Sequence, residues 1–206
     1  MRGVLMALVY LTAAPHAAAA AREPLVIFLG DSLTAGYGLP ADQAYPSLVG
    51  AALRERGSPA RVVNAGVSGD TTSGAIGRLD WLLDQRPDLL VVGLGANDAL
   101  RGQPVARIEA NLLTIVRRAK ASGARVLLLG MKIPTNFGPE YTSAFAAVYP
   151  RVAGRENVPL MPFLLEGVGG RIELNLDDGI HPNERGHRIV ASNVLPYVIR
   201  ALGGAK

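Results

Sequence analysis

The strongest constraint in this chain is an alternation. Five short strand-like runs, apolar at 25–29, 89–94 and 125–131 and shorter at 61–65 and 158–160, are separated by longer stretches with helical spacing. Runs of that length bounded by Gly, Asp, Asn or Pro read as strands buried on both faces, and such strands pair in parallel. The intervening stretches place apolar residues three and four apart: Tyr45, Leu48, Val49, Ala52 and Leu53; Ile76, Leu79, Leu82 and Leu83; Val105, Ile108, Leu112, Ile115 and Val116. Residues 140–151 read as a further helix. A last one covers 184–202, with Ile189, Val190, Val194, Val198 and Leu202 inward and Pro196 expected to kink or interrupt it. Strands alternating with helices in this way predict an α/β fold, a three-layer α/β/α sandwich around a five-stranded parallel sheet.

The first 21 residues stand outside that pattern. One positive charge in Met1-Arg2 precedes an apolar stretch at 4–11, and an alanine run at 17–21 offers several A-x-A sites. This is the layout of a secretory signal peptide, with cleavage expected near Ala19–Ala21. The apolar stretch is far shorter than the ~20 residues a membrane span needs. Residues 22–206 then form a single domain, whose periplasmic or secreted location follows from the leader.

Composition narrows the chemistry. With 49% hydrophobic and 18% charged residues the chain has enough apolar material for a core, which excludes a disordered protein. The net charge of +4 comes from scattered basic residues, none in a run longer than Arg117-Arg118. Without an aromatic-plus-basic motif or zinc-finger spacing, nucleic acid is not an expected partner. The chain has no cysteine, so disulfides, thiolate nucleophiles and thiolate metal sites are excluded.

The strand ends carry the distinctive polar groups. Asp31 and Ser32 follow the first run, Gly69 lies in the loop after the second, and Asn97 and Asp98 follow the third; Asp178 and His181 precede the last helix. In open α/β sheets, ligands bind at the carboxyl ends of the strands. Ser32 is the candidate nucleophile. A neutral hydroxyl needs a base, and His181 is the best placed of three histidines, since His16 is in the leader and His187 inside the last helix. Asp178, three residues before His181, can orient it within one turn. The Ser32 and Gly69 N–H groups and the Asn97 amide would hold the oxyanion that forms. Taken singly, each of these residues is a common turn or cap residue; together, in order at successive strand ends, they describe acyl transfer.

These blocks resemble the SGNH/GDSL hydrolase superfamily. Gly30-Asp31-Ser32-Leu33 matches its nucleophile block, residues 66–70 its glycine block, Gly95-Ala96-Asn97-Asp98 its G-x-N-D block, and Asp178-Gly179-Ile180-His181 its D-x-x-H block. The chain is similar to the periplasmic thioesterase, arylesterase and lysophospholipase members in particular, through Asn64-Ala65-Gly66-Val67-Ser68-Gly69-Asp70-Thr71 and the segment around Phe137-Gly138-Pro139-Glu140-Tyr141. The resemblance implies strand order 2-1-3-4-5 and Ser32, His181 and Asp178 as the triad. Ser32, Gly69 and Asn97 become the oxyanion donors, and no metal or cofactor is needed. It also implies that the loop at 99–104 moves when acyl chains bind. A G-x-S-x-G elbow is absent from the sequence, which separates it from the α/β-hydrolases.

For the acyl group, Leu100, Ile133, Pro134, Phe137 and Tyr141 are the expected lining. The implied substrates are small acyl esters, thioesters or lysophospholipids, with no stable membrane insertion. Two alternatives remain at this level: a carbohydrate O-acetylesterase on the same fold, and a non-catalytic acyl-lipid binding protein.

Overall fold

A computed structural model describes residues 22–203; residues 1–21, expected to be a signal peptide, lie outside them. Five strands, β1 (Leu25–Gly30), β2 (Arg61–Gly66), β3 (Leu89–Gly93), β4 (Arg125–Leu129) and β5 (Leu160–Met161), form one parallel sheet in the order β2-β1-β3-β4-β5. The expected fold class and strand order are therefore both found. β1 and β3 are buried along their whole length, as their unbroken apolar runs require, whereas β2 is a half-exposed edge. The register pairs Gly30 with both Gly66 and Gly93, so three strands end level with one another and their following loops open on one edge.

Among the described residues there are eight α-helices: α1 (Ser32–Ala35), α2 (Tyr45–Glu55), α3 (Thr72–Leu83), α4 (Ala96–Leu100), α5 (Val105–Ala121), α6 (Pro139–Ala146), α7 (Val148–Glu156) and α8 (Glu184–Ala201). α2 packs against α8 on one face of the sheet, and α3, α5 and α7 pack side by side on the other. The apolar spacing of α5 buries Ile108, Leu112, Ile115 and Val116, and that of α8 buries Val190, Val194 and Val198.

Two features differ from the sequence expectation. The helix expected at 140–151 is two helices meeting at Ala147, an arrangement that sets Phe145 and Tyr149 edge to face at 5.5 Å in the core. Pro196 does not end α8, which runs through it to Ala201. Pro196 and Ser192 are both exposed, so the carbonyl that loses its intrahelical partner faces water.

Candidate active site

Ser32 is the first residue of α1, directly after β1. Asp31 caps that helix: its Oδ1 accepts from the Leu33 N–H at 3.0 Å. α1 lies across the end of β2, and this requires Gly66, where a Cβ would stand 2.2 Å from the Ala35 nitrogen. The turn that follows β2 carries Gly69 at φ +79°, a left-handed conformation that favours glycine. Arg78, from α3, fastens this edge: its guanidinium donates to the carbonyls of Ala65 (2.7 Å) and Gly30 (3.2 Å) and pairs with Asp70.

The loop before α8 brings the remaining groups. Asp178 Oδ1 accepts from the Ile180 and His181 N–H groups, both at 3.0 Å, which closes a tight turn. Its Oδ2 lies 2.6 Å from His181 Nδ1, and His181 Nε2 lies 2.8 Å from Ser32 Oγ. Burial works against the Asp178 charge, but the two amide donors and the imidazole outweigh it and hold the carboxyl at about 2. An ionised Asp178 keeps the proton on Nδ1. Nε2 is then free to accept from the Ser32 hydroxyl. The Tyr37 ring lies 4.6 Å from that of His181 and packs on its side.

Asn97, the second residue of α4, donates one amide N–H to Asp31 Oδ2 at 3.3 Å, leaving the other N–H available. Among the described residues, the Ser32 and Gly69 N–H groups have no hydrogen-bond partner. Desolvation raises the Asp31 carboxyl to about 6, against the opposing pull of the Leu33 amide and His181. Asp98 serves the scaffold: it accepts from the Thr72 N–H (2.8 Å) and hydroxyl (2.6 Å), and so ties α4 to the start of α3.

Ser32, Gly69, Asn97 and His181 line a cavity of about 670 Å³. Leu100, Ile133 and Pro134 line it, as do Met131, which the sequence places at the end of the fourth strand run but which lies just beyond β4, and Phe163 and Leu165, which carried no sequence signal because they come from irregular loop segments. Phe137 and Tyr141 do not. Their rings pack together at 6.4 Å, and the Tyr141 hydroxyl donates to Gln103 O at 2.6 Å. The start of α6 faces the link between α4 and α5 and braces it, while the segment directly after β4 turns Ile133 and Pro134 toward the cavity. Asp31 and Tyr37 were not anticipated as partners of Asn97 and His181. For Asp31 a signal existed, a cap residue directly before a helix start; for Tyr37 none did.

A hydroxyl hydrogen-bonded to a neutral imidazole, itself backed by an ionised carboxylate, can attack an acyl carbon. The comparisons agree with that chemistry. Residues 28–189 match the GDSL-like Lipase/Acylhydrolase family, and the chain belongs to it. It is 45% identical to Esterase TesA of Pseudomonas aeruginosa over 86% of this chain and 88% of that protein. It is 42% identical to Thioesterase 1/protease 1/lysophospholipase L1 of Escherichia coli K12, over 84% and 82% respectively. Among solved structures, the psychrotrophic esterase EstA from Pseudoalteromonas sp., inhibited by monoethylphosphonate, superposes with a TM-score of 0.84 at 32% identity. That match covers 88% of this chain and 100% of that one. The chain is thus a serine ester hydrolase of the GDSL type.

Proposed function

We propose that Ser32, His181 and Asp178 are the catalytic triad, and that the enzyme cleaves esters and thioesters whose acyl group enters the apolar cavity. The observation that carries this reading is the unbroken chain from Asp178 through His181 to Ser32, with contacts of 2.6 and 2.8 Å. His181 takes the Ser32 proton as Oγ attacks the acyl carbon. The oxyanion is received by the Ser32 and Gly69 N–H groups and by the free N–H of Asn97. The imidazolium, stabilised by Asp178, then protonates the leaving alcohol or thiol. Water activated by the same imidazole releases the acid and restores Ser32. The apolar lining from Leu100, Ile133 and Phe163 supports acyl chains over acetylated sugars, which would ask for polar side chains there.

The leader pattern at 1–21 supports export to the periplasm, where lysophospholipids and environmental esters are within reach. None of the helices among the described residues is long and apolar enough to cross a membrane.

The test is covalent trapping. A p-nitrophenyl alkylphosphonate should release one p-nitrophenolate per chain and leave the phosphonyl group on Ser32, located by peptide mass spectrometry. Label on another residue, or none under conditions where the enzyme turns over esters, would reject the assignment.

A further inference from the structure

Exposed large apolar side chains are few among the described residues: Tyr37, Val67, Trp81, Leu100, Ile172 and Ile180. Their placement is uneven. Tyr37, Leu100 and Ile180 line the active-site cavity itself. Val67 directly precedes Ser68 and Gly69, which line it, and Ile172 follows two residues after Gly170, which also does. Three of the six thus line one cavity, and two more lie within two residues of its lining, so that five separate segments of the chain bring exposed apolar side chains to the same site. Ile172 is 89% exposed, an extreme value for isoleucine, on a 3-10 turn with nothing packed over it. Apolar residues scattered singly over a surface need no explanation, but a cluster at one site does.

Two cations belong to the same cluster. Arg101, next to Leu100, donates to Gly69 O at 2.9 Å and makes no salt bridge with a carboxylate among the described residues. Lys132 lines the cavity with its ammonium 4.7 Å from the Phe163 ring centroid, and it too makes none there. Arg171 pairs with Glu173 at 3.0 Å, and Asp177 and Asp178 are further exposed carboxylates in the segment that follows.

We infer that this cluster docks the enzyme on the surface of aggregated anionic lipid, so that a single acyl chain passes from the aggregate into the cavity without crossing water. The inference rests on the acyl-hydrolase reading above. A lipid surface fits better than a protein partner for a geometric reason: the cluster lies at the substrate cavity, and a protein seated on it would close that cavity. It also fits the side chains, which come singly from five separate segments instead of from one flat face. Singly protruding apolar groups insert between headgroups, and unpaired Arg and Lys beside them favour anionic ones.

The experiment measures partitioning of the full chain into sedimented vesicles, phosphatidylglycerol against phosphatidylcholine. The wild type should bind phosphatidylglycerol vesicles measurably and phosphatidylcholine vesicles more weakly. Ile172→Asp should lower vesicle partitioning about tenfold or more, the scale set by withdrawing one buried isoleucine. It should leave hydrolysis of a soluble short-chain ester unchanged. Trp81→Ser is the control. Trp81 is 68% exposed but lies near the C-terminal end of α3, which runs back to the opposite edge of the sheet, so the substitution should change nothing. Ser32→Ala should keep full vesicle binding, which separates a failure of docking from a failure of the triad assignment. The inference is overturned if the wild type ignores both vesicles, or if Trp81→Ser weakens binding as much as Ile172→Asp. It is equally overturned if the cluster proves to pair two copies of the chain in sedimentation analysis.

Discussion

Removing the Ser32 hydroxyl takes away the group that His181 Nε2 meets at 2.8 Å, and Ser32→Ala should lose several orders of magnitude in turnover. Asn97 is a finer probe. One of its N–H groups is engaged by Asp31 and the other is the proposed donor to the oxyanion, so Asn97→Ala should cost about 10²–10³-fold in kcat with little change in KM. Asp31 acts through Asn97. It accepts two hydrogen bonds, from Leu33 and Asn97, and an asparagine has one oxygen with which to replace them. Asp31→Asn should therefore lower kcat about tenfold, the scale of one lost hydrogen bond of ~1.4 kcal/mol, and leave the Ser32 hydroxyl still reactive to a phosphonate. Equal loss in phosphonylation and turnover would show that Asp31 supports Ser32 itself.

Among the elements, α2 and α1 carry the most specific liabilities. α2 begins at Tyr45 without a capping side chain of its own, and His187 of α8 supplies the missing acceptor: its Nδ1 receives the Tyr45 N–H at 3.1 Å. Burial first, and the neighbouring His181 second, push His187 down to about 4 from an ordinary 6.5. A depressed histidine contributes stability that is fully present above 6.5 and is lost as the pH falls through about 4. Asp31 works the other way. Its carboxyl is raised from 3.8 to about 6, so its contribution is present below 3.8 and is lost as the pH rises through about 6. The two slopes oppose each other between about 4 and 6. Thermal melts of Asp31→Asn should show stability falling more steeply than wild type as the pH drops through that window. His187→Gln, which keeps an acceptor, should show the reverse tilt. Parallel curves for the three proteins would remove both assignments. His187→Ala should cost ~1–2 kcal/mol at neutral pH, the value of a cap, with turnover unchanged. Gly66→Ala forces α1 off β2 and should cost about 2–4 kcal/mol together with much of the activity, because α1 carries Ser32. Near-normal activity in Gly66→Ala would mean that Ser32 does not depend on that packing.

At the scale of the whole molecule, the layers, the sheet and the residues that meet at its edge were legible in the sequence. The unbroken apolar runs of β1 and β3 mark strands covered on both faces, and the Gly-Asp-Ser and Gly-x-Asn-Asp blocks mark where they stop. What stayed hidden depends on contacts between distant segments. The cap that His187 gives α2 spans 142 residues, and Arg78 bridges two strand ends it does not belong to. The cavity wall was half legible: Ile133 and Pro134 follow a strand directly, but whether Phe137 and Tyr141 turn inward depends on where α6 starts. The break at Ala147 does carry a signal, Pro150, which has no N–H to offer the Ala146 carbonyl and whose ring crowds it, and the packing of Phe145 and Tyr149 fixes the geometry of the break.

The central claim is that Ser32 performs acyl transfer into this cavity, and one measurement meets it directly: hydrolysis of p-nitrophenyl esters from acetate to palmitate, wild type beside Ser32→Ala. A cavity of about 670 Å³ with an apolar wall predicts wild-type activity that extends beyond acetate into longer acyl chains. Ser32→Ala should be inactive along the whole series. Activity confined to acetate would contradict the acyl-cavity reading, and an equally active Ser32→Ala would contradict the triad.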